Sequence, residues 1–123
     1  MKRQRIRPVS EKAASVAAET RRRRAEWRDA QPNVCMVCGF VTEGNWVRGW
    51  LDLHHLAGKD KRSLRYERPE NYLLACSAFA KGCHEKCHAD SQLAWHAKKT
   101  YDPANADLEV LRGLASKFNR VTE

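Results

Sequence analysis

All five cysteines and four of the five histidines of this chain lie between Cys35 and His88, in fewer than half of its 123 residues. That crowding constrains the fold more than any other feature. An odd number of cysteines interleaved with histidines points to metal ligation in a reducing compartment rather than to a disulfide framework. With the arginine-rich start set aside, about ninety residues remain to bury a core, and a structural metal is a common staple for a domain of that size.

The cysteines suit a closed zinc site. Zinc takes four soft or borderline ligands in a tetrahedron, and a Cys-x2-Cys turn is the usual source of two. Cys35 and Cys38, followed by Gly39, form such a knuckle. Cys76 and Cys83 complete the set, with the residues between them looped out. Cys87 competes with them, since Cys83 and Cys87 would share one helical turn.

The histidines suit an open site. His84 and His88 are four apart on an expected helix, so both imidazoles can grip one cation from the same face. Two such ligands leave coordination positions free, which catalysis requires and a structural site avoids. His54 and His55 fall on or at the end of an expected strand, where neighbours point to opposite sides. One can join the metal while the other, as a free imidazole, takes a proton from water. Asn71 does not titrate; its amide either binds the metal weakly or holds the loop that orients the basic histidine.

Along the chain, Ser10 is an N-cap for a helix to about Asp29 that holds four consecutive arginines, Arg21, Arg22, Arg23 and Arg24. Gly44 and Asn45 mark a turn, residues 46–56 read as a strand, and residues 71–76 as a second. Between the strands runs a basic loop with Lys59, Lys61, Arg62, Arg65 and Arg68. A helix is expected from Cys83 to Lys98 or Lys99. A last amphipathic helix, residues 107–121, puts Leu108, Leu111, Leu114, Ala115 and Phe118 on one face. His96 is read as a surface or core-edge residue, and Trp46, Trp50 and Trp95 as core or lid residues. The organisation expected is a basic arm and helix (1–32), a metal-bearing domain (33–100) and a C-terminal helix packed on it (101–123).

The net charge is +8, and residues 1–30 hold ten Lys/Arg against four Asp/Glu, or +6 of it. Positive charge massed at one end suits phosphate neutralisation and counterion release. No run of apolar residues approaches the ~20 needed to span a bilayer, and no secretory signal is evident. A cytoplasmic protein is expected.

The His-His, Asn, His-x3-His order with flanking thiolates resembles the HNH endonucleases of the ββα-metal class, in the zinc-stapled form common among phage proteins. The likeness covers residues 34–97. It rests on Leu53-His54-His55-Leu56, on Pro69-Glu70-Asn71-Tyr72-Leu73-Leu74-Ala75-Cys76, which is similar to the family's "PENL…LC" segment, and on Gly82-Cys83-His84, similar to its "(G)CH" segment. His84-x3-His88 also resembles the metal-binding pair of the colicin nucleases, and the arm Arg7-Pro8-Val9-Ser10-Glu11-Lys12 more faintly resembles the leader of phage HNH proteins.

The resemblance implies an α+β fold: a small ββα-metal (His-Me finger) domain with structural zinc, an N-terminal basic helix and a C-terminal helix. It implies metal-dependent hydrolysis of DNA phosphodiester bonds, by nicking or double-strand cleavage, with His55 as general base. His54, His84 and His88 would hold one catalytic cation, Mg²⁺ or another such as Mn²⁺, Ni²⁺ or Zn²⁺. Asn71 would constrain the loop and position His55, while Cys35, Cys38, Cys76 and Cys83 hold structural Zn²⁺. DNA would be met mainly through its phosphates, by Arg21–Arg24 and by Lys59, Lys61, Arg62 and Arg65; a phage packaging or recombination protein is a further possible partner. The wide Cys76–Cys83 spacing and the extra Cys87 depart from the pattern, leaving the fourth zinc ligand open.

Rival motifs fit less of the chain. His84-Glu85-Lys86-Cys87-His88 matches H-E-x-x-H of zinc proteases, but Lys86 is awkward in a buried helix, and Ser91 and Ala94 stand where an extended motif needs Gly and His. A deaminase would need H-x-E and P-C-x-x-C, and neither occurs. A non-catalytic zinc module that binds nucleic acid explains the thiolates and the basic arm but leaves the histidines without a task.

Overall fold

A computed structural model describes residues 10–41 and 50–123 of the chain. Two strands form its centre. β1 (Leu51–His55) and β2 (Tyr72–Cys76) pair antiparallel, with Leu51 opposite Cys76 and His55 opposite Tyr72. The turn expected at Gly44-Asn45 and the part of the first strand at residues 46–49 lie outside the described residues. Asn71 precedes β2 rather than starting it, as the last residue of a 3-10 turn (Pro69–Asn71). All five β2 residues are buried, so both faces of the hairpin are covered.

Helix α1 (Glu11–Asp29) starts where expected, the Ser10 hydroxyl accepting from the Ala13 N–H at 3.1 Å. Its Ala, Glu and Arg residues favour helix but give it little apolar surface, and Trp27 is its one buried residue. Polar ties near its end therefore hold it. The Trp27 indole donates to the Asp102 carboxylate at 3.0 Å, and its ring meets Tyr72 with centroids 5.5 Å apart.

Helix α2 (Cys83–Ala89) follows Gly82, whose φ of +68° is left-handed backbone that glycine accepts readily. The single helix expected from Cys83 to Lys98 or Lys99 is in fact two. At Asp90 the backbone extends (φ −138°, ψ 97°), and its carboxylate accepts from the Leu93 N–H at 3.1 Å, capping α3 (Ser91–Tyr101). An aspartate cap satisfies an otherwise orphaned N–H and competes with helix continuation. The C-terminal helix is likewise shorter than expected: α4 (Leu108–Leu114) ends where Ala115 extends, and a 3-10 turn (Ser116–Arg120) follows. Gly113 weakens the helix just before that break. Leu108, Leu111 and Phe118 still reach the core, with Leu114 and Ala115 at its edge.

Lys98 locks these elements together. It is fully buried, and its ammonium donates to Asp102 at 2.6 Å and to the carbonyls of Pro69 and Tyr72, each at 2.7 Å. Three acceptors satisfy the three N–H donors, which is what a buried ammonium needs. The outcome, among the described residues, is a small mixed α+β fold with four helices and a two-stranded sheet. No described helix is long and apolar enough to cross a membrane.

Candidate functional site

The two residue classes crowded in the sequence separate in space. Sγ atoms of Cys35, Cys38, Cys76 and Cys83 all lie within 4.8 Å of one another, and those of Cys38 and Cys76 are 3.8 Å apart. A zinc tetrahedron with bonds of about 2.3 Å sets sulfurs about 3.8 Å apart, so the four could hold such an ion. The knuckle is seated by backbone: Cys35 N–H donates to Phe40 O, and Met36 N–H to Leu74 O on β2. Gly39, at φ +77°, makes the turn possible. Three N–H groups, of Val37, Cys38 and Cys76, point at the Cys35 sulfur from 3.3–3.4 Å, as suits a thiolate. Burial pushes the Cys76 thiol up, but the N–H groups of Cys83 and Lys81 outweigh it and bring it down to about 7. Cys87 is outside this set and 1% exposed; burial pushes its thiol up to about 11, the state of an inert core residue.

A second group forms on the hairpin face under α2. Ring nitrogens of His54, His84 and His88 also lie within 4.8 Å of one another. His54 is 1% exposed, and neither of its nitrogens has a hydrogen-bond partner. A buried imidazole with two orphaned nitrogens is costly unless something accepts its lone pair. Burial, and then the neighbouring His88 and His84 rings, hold its pKa at about 3, so it stays neutral. Nε2 of His84 and Nε2 of His88 approach to 3.1 Å. The Asp52 carboxylate, 3.0 Å from Nδ1 of His84, fixes the proton there and leaves the Nε2 lone pair for the cluster. Burial falls from His54 through His84 to exposed His88, so the group opens to solvent on one side. These donors fit a divalent cation. All-imidazole ligation suits Zn²⁺ or Ni²⁺ better than Mg²⁺, which prefers oxygen.

His55 points the other way, as its place on β1 requires. Its Nε2 sits 3.0 and 3.1 Å from the Glu67 carboxylate oxygens, and its ring stands edge-on to Tyr72. Glu67, 2% exposed, also accepts from Arg24 at 2.6 and 2.9 Å and from the Tyr72 hydroxyl at 3.0 Å. Burial pushes the Glu67 carboxyl up, yet Arg24 and then His55 outweigh it and hold it at about 2. Burial lowers the pKa of His55, opposed by Glu67. A neutral ring with its proton on Nε2 keeps an Nδ1 lone pair free to act as base.

Asn71 resolves its two open roles in favour of the loop. Its side chain accepts from the Ala57 N–H at 2.6 Å and donates to the carbonyls of Gly58 and Tyr66 at 3.0 and 2.9 Å. It thus clasps both ends of the segment that leaves His55, with its amide oxygen and nitrogen both engaged by backbone. Sequence reasoning found neither Glu67 nor Asp52, since an isolated acid in a basic loop or a short strand has no spacing to mark it.

The basic residues divide. Arg24 grips Glu67, and Arg23 donates to the Glu67 carbonyl and to Glu19, so both tie α1 to the loop. Arg22 pairs with Glu19 and Glu26 on the surface, and Arg21 is exposed. Lys61 and Arg62 meet Lys12 across a cleft of about 370 Å³ beside the start of α1. Arg65 donates to the Gly113 carbonyl at 2.8 Å. His96 is exposed, Trp95 is buried, Trp50 stacks on Phe40 with centroids 5.6 Å apart, and Trp46 lies outside the described residues. Compared with known proteins, the chain matches no family model, no curated protein and no solved structure.

Proposed function

We propose that this chain is a metal-dependent nuclease of HNH type, with a ββα-metal centre, that hydrolyses DNA phosphodiester bonds. One observation carries the reading: adjacent residues His54 and His55 serve two different environments. His54 joins a three-imidazole group with its nitrogens unpartnered, while His55 is held apart by a carboxylate. The order strand, clasped loop, strand, helix around them agrees with the resemblance drawn from the sequence.

His55 takes the proton of the attacking water at Nδ1, and its Nε2–H stays on Glu67, which stabilises the imidazolium as it forms. Arg24 and Tyr72 keep Glu67 ionised and oriented. Asn71 fixes the backbone directly after the base. His54, His84 and His88 would hold a divalent cation, which supplies Lewis-acid stabilisation to the scissile phosphate and the leaving 3′ oxygen. Cys35, Cys38, Cys76 and Cys83 would hold structural zinc and tie the knuckle to β2 and α2. DNA is the expected partner through its phosphates, on the exposed basic side chains of α1 and the 58–68 loop.

Plasmid nicking in Zn²⁺, Ni²⁺, Mn²⁺ and Mg²⁺ tests the reading. Wild-type protein is expected to nick with at least one of these, and His55→Ala to lose about 10²–10⁴-fold of the rate while melting normally. No cleavage with any ion, together with salt-sensitive DNA binding, would leave a non-catalytic zinc module as the better account.

A further inference from the structure

The carboxylate that holds His55 rests on a knot of buried polar groups drawn from the far end of the chain. Asp102, just past α3, is 7% exposed and accepts from three donors. These are the Trp27 indole at 3.0 Å, the Lys98 ammonium at 2.6 Å and the Asn105 amide at 3.0 and 3.2 Å. Two arms lead from this knot to Glu67. In the first, Lys98 holds the carbonyls of Pro69 and Tyr72, which fixes the turn after Glu67 and the strand residue opposite His55. The Tyr72 hydroxyl then donates to Glu67 at 3.0 Å. Trp27 carries the second arm, its ring centre 5.0 Å from the Lys98 ammonium and its face against Tyr72. Arg24 stands three residues earlier on the same side of α1 and grips Glu67 at 2.6 and 2.9 Å. Both arms end on the carboxylate that receives Nε2 of His55.

We propose that Trp27 and Asp102 are positioning residues for the base: through Arg24 and Tyr72 they set Glu67, and Glu67 sets the His55 ring. The role of His55 as base rests on the proposed nuclease function, whereas its bracing rests on the contacts above. A buried ion pair such as Lys98–Asp102 adds little net stability, because desolvation offsets most of its attraction, and an apolar pair of the same volume often serves a fold as well. What the pair does supply is direction, since each ammonium proton has its own acceptor. Helix α1 needs that direction. With Trp27 as its one buried residue, it has little apolar surface by which to seat Arg24.

The test is Trp27→Phe in zinc-loaded full-length protein, which keeps a ring on Tyr72 and removes the indole N–H. Two quantities are read: exchange of the His55 Nε2 proton with water, by NMR of nitrogen-15-labelled protein, and nicking kinetics with the ion that best supports wild-type cleavage. The proton is expected to exchange about tenfold faster, the change in open population that one lost hydrogen bond brings. The Asn71 side-chain amide, clasped by the Gly58 and Tyr66 carbonyls, should exchange as before. Since a 1 Å misplacement can cost roughly 10²-fold in rate, kcat is expected to fall about tenfold with KM for the plasmid unchanged. Unchanged His55 exchange in protein that melts normally overturns the proposal, as does equal acceleration at Asn71 or an unchanged kcat in a nicking protein. Should Trp27→Phe not fold, Asn105→Ala takes the half-buried amide from Asp102 and should move both quantities the same way, by less. If the His55 proton quickens but wild-type protein nicks with no ion, the brace stands and the nuclease reading falls. If wild type nicks and neither quantity moves in the variant, the reverse holds.

Discussion

The thiolate and imidazole groups share the same scaffold, yet they differ in donor, number and burial. Both take ligands from the hairpin and from α2, and neighbours in sequence part company: Cys83 goes to one group and His84 to the other. The thiolate group has four ligands, three of them buried, with backbone N–H groups turned onto sulfur. The imidazole group has three, graded from buried His54 to exposed His88, and a carboxylate behind His84. A full coordination set under backbone support holds a fold together. A partial set with a solvent side can admit a substrate. Softness of the donor and exposure of the outermost residue, rather than position in the chain, separate the two groups.

The largest effect should come from breaking the closed group. Structural zinc in small domains contributes about 10–16 kcal/mol of apparent binding free energy to folding. Cys83→Ser is therefore expected to abolish the cooperative melt and the bound zinc, as followed by calorimetry and metal analysis. Cys87→Ser should keep both, and loss of zinc there would move the fourth ligand to Cys87. Next comes His55→Ala, with its loss of about 10²–10⁴-fold in nicking rate and an intact melt. An equal loss of zinc in this variant would mean that the two groups are not separable.

Asp52→Asn ranks third. Removing the carboxylate behind a ligating histidine typically costs 10–100-fold in metal affinity, so titration of the second metal should weaken by that factor while the first stays bound. Glu67→Gln gives the smallest and most informative change. The carboxylate raises the His55 pKa against burial, so without it the acid limb of the pH–rate profile should shift to lower pH, with a reduced plateau. An unshifted limb would show that His55 is not the titrating base. Glu67 is also held at about 2 in the folded protein, against an ordinary 4.5. Its contribution to stability is present above pH 4.5 and lost as pH falls toward 2. The wild-type advantage in melting temperature over Glu67→Gln should shrink across that window.

Much of this arrangement was legible before any coordinates. Cys-x2-Cys, the adjacent histidines and His-x3-His each carry a spacing that a turn, a strand and a helix convert directly into geometry. Alternation along β1 was enough to send His54 and His55 apart. Two kinds of feature escaped. Glu67 and Asp52 act through contacts across the fold, Arg24 to Glu67 spanning 43 positions, and no local pattern announces such a partner. Helix ends escaped for a different reason. Asp90 before Ser91-Gln92-Leu93 is a capping signal, but the apolar periodicity on both sides masked it, so one helix was expected where two form. Trp27 was passed over too, as a lone aromatic in a helix otherwise made of charge.

The ties that seat α1 also set an order of events. Every ligand of both groups has been synthesised once His88 leaves the ribosome, and the hairpin and α2 can then gather metal. Trp27 must wait for Asp102, 75 positions further along the chain than itself. Until that late residue arrives, α1 has no acceptor for its one buried side chain, and Arg24 has no fixed post from which to hold Glu67. Closing so long a loop is also slow relative to local helix and hairpin formation. A nascent chain thus has both groups of candidate ligands in hand before Glu67, the partner of His55, is braced by Arg24.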